Sequence, residues 1–402
     1  MRIVVCPHDM GMGGSQINAL DLAAAVRDRG HEVVVYAPPG PLVERARAAG
    51  LDWRPAATGL RLSLPWALGL MRLVREWRAD LVHAYEWAPS MGASLGAHGW
   101  LDTPLVMTVL SMEVPGFLPR HLDLVVGTER LAAEAAGEGF AHRHVLEPPI
   151  DTALDTPRPA GPARRSLGLD EGGPVVSVVG RLTTDLDKSA GVIAAIAAVG
   201  TLAERLPVTL LVAGDGDDAA RVRIAADEVN DRHGRPVVRM PGTLLDPGAA
   251  YAAGDVVLGM GSSILRGMAH ARPAVVLGAG GYVRAVRADT MPEFLREGFF
   301  GHGDGGPYAL RDPLEQLLTD RAERTRLGEW SRRLVEQRFG LDRAATVLLD
   351  IYAQAHDRSR GGRPVLTTAR RAASLARSAG AMSGFLLHRA GARRGPRTTA
   401  AA

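Results

Sequence analysis

Short apolar runs rich in β-branched residues alternate along the chain with stretches rich in alanine and leucine. In the first half these runs are RIVVCP, EVVVYA, DLVHAYE, LVMTVLS and DLVVGT. Between the first two, residues 15–30 place apolar side chains at helical spacing and close on a glycine, which predicts an amphipathic helix. Strands that alternate with helices are typical of parallel sheets with helices packed on both faces. The pattern therefore predicts an α/β fold.

The alternation is interrupted at residues 147–173, which hold five prolines and little apolar content. A second series of apolar runs follows: VVSVVG, VTLLVAGDG, VVRMPGT, DVVLGMG and AVVLGAGG. We predict a first doubly wound, Rossmann-like domain over residues 1–150, a linker over 151–173, a second such domain over 174–357 and a tail over 358–402. The last helix before the tail is a candidate for crossing back to the first domain. Because such sheets bind ligands at the carboxyl ends of their strands, we expect the ligand in a cleft between the domains.

Composition is that of a globular protein of a reducing compartment. The 402 residues are 46% hydrophobic and 23% charged, which is enough to bury two cores. Cys6 is the single cysteine, so no internal disulfide is possible. The first apolar run is too short for a secretory signal, and no apolar stretch reaches the length of a membrane-spanning helix. We therefore expect a cytoplasmic protein.

The charge is concentrated at the C-terminus. The net charge is +3, but residues 358–402 carry ten arginines and neither aspartate nor glutamate. Apolar residues recur there at helical spacing, at Val365, Ala369, Ala372, Leu375, Ala379, Met382, Phe385 and Leu386. One interpretation is a basic amphipathic helix on the anionic inner face of the cell membrane. The other is a disordered, arginine-rich extension. Nucleic-acid binding is disfavoured because the tail lacks interleaved aromatic residues.

The candidate chemistry begins with the single lysine of the chain. Lys188 lies seven residues after Arg181, just past the run VVSVVG. An arginine fork and a lysine point charge together suit the oxygens of a diphosphate, whereas the alternative is an accidental surface lysine. We interpret the neighbouring Asp185 and Asp187 as solvent-facing carboxylates or partners of Lys188 rather than metal ligands.

Glycine loops follow several of the predicted strands. GMGGSQ places Gly13 and Gly14 before the first helix, and GMGSSILRG places Gly261, Ser262 and Ser263 at the start of a later one. Free backbone amides at such helix starts bind phosphate. The GDGDD loop at residues 214–218 is equally explained as a turn. The first loop lacks the GxGxxG spacing of a nicotinamide site, so dinucleotide binding is disfavoured.

Taken together, GGSQINALDLAAAVRDRGHEVVVYAP, DLVHAYEWAP, VVSVVGRL with Lys188, LLVAGDGDD and AYAAGDVVLGMGSSILRGMAHARPAVVLG resemble the GT-B glycosyltransferases, specifically the large retaining family 4. The resemblance covers nearly all of residues 1–355. It implies two Rossmann-like domains, with a nucleotide-diphosphate sugar bound by the second and an acceptor by the first. It also implies a metal-independent reaction, in which Arg181 and Lys188 stabilise the leaving diphosphate and no further cofactor takes part.

Two features of the family pattern are altered, at three positions. Members usually carry two glutamates in the donor segment, where this chain has Leu258 and Arg266. Arg266 is then a candidate for binding the diphosphate or a carboxylate on the donor sugar. Members also commonly have a histidine where this chain has Leu110, and Ser111 or Glu113 is a candidate to compensate.

The acceptor side has three further candidates at the ends of predicted strands, His8, His83 and Glu86. The glycine-rich segment 298–306 is either a loop that moves over the site or an ordinary surface excursion. We predict a retaining, hexosyltransferase-type enzyme that acts on a small-molecule or lipid-linked acceptor of the cell envelope or of natural-product biosynthesis. The departures keep two alternatives open, a non-catalytic GT-B partner protein and a sugar-nucleotide epimerase of the same fold.

Overall fold

The computed structural model describes residues 1–58, 63–170, 172–303, 309–361 and 375–383. The chain forms two compact units. The first comprises Met1–Glu147 together with the C-terminal part of the chain from Ala344, and the second comprises Pro148–Arg343.

The first unit is built on a parallel sheet of seven strands in the order β3-β2-β1-β4-β5-β6-β7. The inner strands β1 and β4 are almost wholly apolar and buried, as expected for strands covered on both faces. The strands are β1 (Arg2–Cys6), β2 (Glu32–Ala37), β3 (Asp52–Pro55), β4 (Leu81–Tyr85), β5 (Leu105–Val109), β6 (Asp123–Val126) and β7 (His142–Val145). The helices are α1 (Gly14–Asp28), α2 (Val43–Ala48), α3 (Leu64–Trp77), α4 (Trp87–Ala93), α5 (Gly99–Leu101), which follows a π-helical turn at Ser94–His98, and α6 (Glu129–Gly137).

The second unit has six strands in the order β10-β9-β8-β11-β12-β13, all parallel except β13, which is antiparallel to β12. The strands are β8 (Val175–Val179), β9 (Thr209–Ala213), β10 (Val238–Gly242), β11 (Val256–Gly259), β12 (Ala274–Leu277) and β13 (Val283–Ala285). The helices are α7 (Ala160–Ser166), α8 (Lys188–Leu202), which follows a 3₁₀ turn at Asp185–Asp187, α9 (Ala219–His233), α10 (Gly248–Ala253), α11 (Ser262–Ala269), α12 (Met291–Glu297), α13 (Arg311–Thr319) and α14 (Arg321–Leu334). A π-helical turn at Val335–Phe339 precedes α15 (Leu341–Gly361).

Both sheets reverse their winding direction once. The reversal lies between β1 and β4 in the first sheet and between β8 and β11 in the second. Open α/β sheets bind ligands outside the carboxyl ends of the strands at such a switch point. The loops after β1 and β4, and those after β8 and β11, are therefore where ligand-binding groups are expected.

The predicted linker at residues 151–173 is part of the second unit and contains α7. Arg164 in α7 donates to the carboxylate of Asp255 at 2.7 Å and to the carbonyl of Ala253 at 2.9 Å. These bonds pack the proline-rich segment against the unit, so the prediction of a separate linker is corrected. The proline-rich composition predicted a boundary near the start of the second unit, but it did not predict that this segment packs against that unit.

The predicted start of the tail at residue 358 falls inside α15, which continues to Gly361. Arg358 forms an ion pair with Asp123, a carboxylate that is almost fully buried at the start of β6. The first tail arginine thus belongs to the last helix of the first unit. Most of the tail, including Val365, Ala369, Ala372, Phe385 and Leu386, lies outside the described residues.

Residues 375–383 form a further helix that packs on the first unit. Met382 is 7% exposed and belongs to the apolar core of that unit. The Cδ1 atom of Leu375 lies 3.3 Å from the position that a Cβ on Gly99 would occupy. These two apolar positions of the predicted amphipathic pattern are covered by the protein itself, which does not support their insertion into a membrane. Among the described helices, none is long and apolar enough to cross a bilayer.

Replacing Met382 with alanine is expected to lower the free energy of unfolding by about 2 kcal/mol, because it leaves a cavity where the helix meets the core. Urea denaturation followed by circular dichroism measures the change. The exposed Arg377 on the same helix supplies the control, since Arg377→Ala removes no buried contact. Equal stability of Met382→Ala and wild type would mean that the helix does not stabilise the unit.

Candidate functional site

The loop that carries Arg181 is held by backbone contacts with the loop after β9. Leu182 N donates to the carbonyl of Asp215 at 2.9 Å. A Cβ on Gly214 would lie 1.8 Å from the carbonyl oxygen of Gly180, and one on Gly216 would lie 2.1 Å from that of Leu182. Only glycine allows this approach, so the GDGDD loop supports the loop of Arg181. The Arg181 side chain is exposed and lies at the carboxyl end of β8.

Lys188 begins α8, at the same edge of the sheet. Its Nζ lies 3.5 Å from a carboxylate oxygen of Asp185, whose side chain is 63% exposed, so Asp185 is both solvent-facing and a partner of Lys188. Asp187 accepts a hydrogen bond from the amide of Gly280 at 3.0 Å instead. Leu186 and Asp187 have φ values of 54° and 56°, an uncommon conformation for residues with side chains. In the described part of the chain, no group of three or more histidine, cysteine, aspartate or glutamate side chains is placed to hold a metal ion.

The GMGSSILRG loop leads into α11 as predicted, and Gly261 is the N-cap of this helix with a φ of 60°. The amide of Gly261 donates to the carbonyl of Phe299 at 2.6 Å, and a Cβ on Gly261 would lie 2.8 Å from the ring of Phe300. The hydroxyl of Ser263 donates to the carbonyl of Met260 at 2.9 Å, whereas Ser262 lies on the exposed side. The amide of Ile264 donates to the carbonyl of Gly261 at 3.2 Å, so the amides of Ser262 and Ser263 are the first-turn groups that can bind an anion.

Arg266 has a partner inside the protein. Its guanidinium forms an ion pair with Asp155, whose side chain is 8% exposed, and the Nε2 atom of His270 lies 3.6 Å from the same carboxylate. Arg332 donates to the backbone carbonyl of Asp155 at 2.7 Å. Arg266 therefore fastens α11 to the segment that enters the second unit, a pairing across 111 residues of sequence that no local pattern indicates.

The described part of the glycine-rich segment, residues 298–303, is hydrogen-bonded to this edge. Besides the bond from Gly261 to Phe299, the amide of Ala279 donates to Gly301 at 2.9 Å, and the amide of Gly303 donates to Ala279 at 3.1 Å. The remaining residues of the predicted loop up to 306 include positions outside the described residues. Its described half is thus joined to the loops after β11 and β12.

In the first unit, Glu86 joins three loops at the switch point. One carboxylate oxygen accepts from the hydroxyl of Ser15 at 2.9 Å and from the amide of Leu110 at 3.1 Å. The other accepts from the hydroxyl of Ser111 at 2.6 Å. Glu86 is 7% exposed and has a φ of 66°. The carboxylate thus ties the loops after β1, β4 and β5 together.

Glu86, rather than Glu113, holds Ser111 next to the position of the usual family histidine. Glu113 is exposed on the same loop. Sequence reasoning named Glu86 and Ser111 separately, but it did not predict that they bind each other, because they come from different strands.

His8 lies beside the first turn of α1. Its Nε2 is 3.0 Å from the side-chain nitrogen of Gln16, which also donates to Asp9 at 2.6 Å. A Cβ on Gly13 would lie 2.3 Å from the side-chain oxygen of Gln16, whereas no atom lies within 4 Å of a Cβ on Gly14. Gly13 thus makes room for Gln16, and the space beside Gly14 is open.

His83 is corrected from an acceptor-side candidate to a core residue. It is 1% exposed, and its two ring nitrogens lie 2.7 Å from the hydroxyls of Tyr352 and Thr108. Burial lowers the pKa of His83 to about 3. The sequence placed it on the correct strand, but it did not show that α15 covers that strand.

The depressed pKa of His83 predicts a loss of stability in acid. The unfolded chain binds a proton at His83 below about pH 6.5, and the native protein does not until about pH 3, so stability falls as the pH falls through this window. Between pH 7.5 and pH 5, wild type is expected to lose about 2 kcal/mol more free energy of unfolding than His83→Gln. Urea titrations at both pH values measure the difference, and equal losses would contradict a neutral buried His83.

Breaking the Arg266 ion pair is expected to destabilise the second unit. Arg266→Gln leaves the Asp155 carboxylate buried and unpaired, at a cost of about 3 kcal/mol. Adding Asp155→Asn removes that charge and is expected to recover most of the loss in a denaturation experiment. Arg223→Gln, on an exposed position of α9, is the control. Additive losses in the double variant would show that the two side chains act independently.

A family model and three relatives in sequence identify the family. The Glycosyltransferase Family 4 sequence model matches residues 12–152. A D-inositol 3-phosphate glycosyltransferase of Xylanimonas cellulosilytica is 27% identical and covers 86% of this chain and 93% of its own length. One of Salinispora arenicola is 30% identical and covers 69% of each chain. A phosphatidyl-myo-inositol mannosyltransferase of Mycobacterium tuberculosis is 28% identical, covering 75% of this chain and 82% of its own.

Among solved structures, Anabaena Alr3699/HepE in complex with UDP superposes with a TM-score of 0.70 at 17% identity, covering 88% of this chain and all of that one. This likeness concerns the fold, and it agrees with the two parallel-sheet units described above. With the relatives in sequence, it confirms the predicted resemblance. The chain therefore belongs to glycosyltransferase family 4 and has the GT-B fold.

Proposed function

We propose that the chain is a retaining glycosyltransferase that moves a hexose from a nucleotide-diphosphate sugar to a small-molecule or lipid-linked acceptor. The observation that supports this most is the edge of the second sheet at its switch point. There, Arg181 follows β8, Lys188 begins α8 and the open N-terminus of α11 follows β11. Two cations and a positive helix end suit the developing charge of a leaving diphosphate.

Lys188 is available for such a role. Its side chain is 22% exposed, and its contact with Asp185 is long and involves a carboxylate that is 63% exposed. Surface ion pairs of this kind are worth little, so a diphosphate can replace Asp185 at small cost. We also propose that the reaction needs no metal, since Arg181 and Lys188 supply the charge that a divalent ion supplies elsewhere.

We propose that the acceptor binds the first unit, at the loops that Glu86 joins. Polar groups meet there at the carboxyl ends of β1, β4 and β5, including His8, Ser15 and Ser111. Hydroxyl-rich acceptors suit this set, and the names of the relatives mention inositol compounds. Because Glu86 already accepts three hydrogen bonds, we assign it the positioning of the loops rather than proton transfer.

One observation favours a second candidate, a non-catalytic member of the fold that serves as a partner protein. Arg266 occupies the position of the family's donor glutamate, and its guanidinium is paired with Asp155. The carboxylate that usually contacts the ribose is therefore replaced by an internal ion pair. The two functions differ in one property, which is turnover of a donor sugar.

Calorimetry with UDP, GDP, dTDP and their sugars, first without metal and then with magnesium, tests the proposal. We expect one nucleotide family to bind without metal. Lys188→Ala and Arg181→Ala are each expected to weaken it at least tenfold, because each removes a charge-assisted hydrogen bond worth about 1.5 to 3 kcal/mol. Arg223→Ala is the matched control.

Binding within twofold of wild type in both variants would refute the assignment of the diphosphate site. Where a donor binds, NMR of its anomeric proton during transfer shows whether configuration is retained. Saturable binding with no turnover of any donor sugar would favour the non-catalytic partner.

A further inference from the structure

We propose that His302 binds the diphosphate of the donor, as a third hydrogen-bond donor side chain beside Arg181 and Lys188. This inference rests on the proposed function, and it concerns a residue that neither the family resemblance nor the sequence motifs single out. His302 is exposed and lies in the described half of the glycine-rich segment.

The backbone around His302 is fixed on two sides. On one side, the carbonyl of Phe299 accepts the amide of Gly261, the N-cap of α11, at 2.6 Å. On the other side, Gly301 and Gly303 exchange hydrogen bonds with Ala279, and Ala279 pairs with His302 as an isolated β-bridge. The position of His302 is therefore set by the loop after β11, which borders the proposed diphosphate site, and by the loop after β12.

A short series of contacts connects His302 with Lys188. The Cε1 atom of His302 lies 3.3 Å from the position of a Cβ on Gly280. The amide of Gly280 donates to Asp187, which immediately precedes Lys188 in the chain. The imidazole thus lies against the loop after β12 that binds Asp187, the N-cap of α8, whereas the loop of Arg181 packs on the loop after β9.

Glycine at position 280 keeps this arrangement close. A Cβ on Gly280 would lie 2.4 Å from the carbonyl oxygen of Gly303, and its φ of 62° favours glycine. A side chain there would push the histidine-bearing segment away from the loop. The absence of a side chain at position 280 therefore keeps the imidazole at the edge of the site.

The chemistry assigned to His302 is hydrogen bonding without a covalent step. When the bond between the anomeric carbon and the diphosphate oxygen breaks, its electron pair stays on that oxygen. An imidazole N–H that donates to the diphosphate stabilises the added charge, most strongly when the ring is protonated. An imidazole ring can carry an N–H that donates to a phosphate oxygen, whereas alanine in its place supplies no donor.

The test compares nucleoside diphosphates with the matching monophosphates. Calorimetry on the full chain uses UDP and UMP, GDP and GMP, and dTDP and dTMP. His302→Ala is expected to weaken binding of the nucleoside diphosphate about tenfold. Affinity for the monophosphate is expected to stay within twofold, because it lacks the second phosphate. His302→Arg is expected to restore diphosphate affinity, since arginine also donates N–H groups to phosphate oxygens. The control is His356→Ala, on α15 of the first unit.

The outcomes separate this inference from the proposed function. If Lys188→Ala weakens binding of the nucleoside diphosphate and His302→Ala does not, the proposed diphosphate site is supported and the assignment of His302 is overturned. If His302→Ala weakens the diphosphate and the monophosphate equally, or if His302→Arg does not rescue binding, His302 has only a structural role and the inference fails. If no nucleoside diphosphate binds the wild type, both proposals fail together.

Discussion

The loop of Arg181 depends on a backbone contact that side chains would prevent. At Gly214 and Gly216, the chain after β9 approaches the carbonyl oxygens of Gly180 and Leu182 so closely that no Cβ fits. The two loops therefore pack backbone against backbone, and their hydrogen bonds hold the turn from which Arg181 extends. The same kind of contact recurs where Gly278 meets the backbone of Gly301. The loops at this edge of the second sheet are thus held largely by contacts at glycines, which add no side chain to the surface beside Arg181.

The first unit fixes its corresponding edge with a side chain instead. Glu86 carries a buried carboxylate that accepts from two hydroxyls and one amide on neighbouring loops. A buried carboxylate is stable only when its oxygens are hydrogen-bonded, so this group requires its three donors as much as they require it. The positive φ of Glu86 aims the side chain back across the switch point. The two units thus arrive at ordered strand-end loops by opposite means.

The sequence predicted the α/β fold, its two parallel sheets and the family, and all of these are confirmed. It also placed Arg181, Lys188 and Ser262 at strand ends, because local periodicity and glycine loops mark where strands stop. It did not predict the pairing of Arg266 with Asp155 or that of His83 with Tyr352, which join residues 111 and 269 positions apart. Such partners depend on packing between elements, and single-sequence patterns carry no signal for it. His302 was missed for a related reason. The sequence marked its segment only by the glycines, whereas the position of the histidine depends on hydrogen bonds from the loops after β11 and β12.

The first unit is discontinuous, because its sheet comes from the first third of the chain and α15 returns to it from Ala344 onward. Tyr352 on that helix closes over the buried His83, and Arg358 neutralises the buried Asp123. A ribosome releases these residues only after the whole second unit has been made. During synthesis the nascent first unit therefore has, among the described residues, only Thr108 as a hydrogen-bond partner of His83 and only His144 as a partner of Asp123, while the second unit already has its entire sequence. The order in which the units complete their folding is thus expected to be the reverse of their order in the gene.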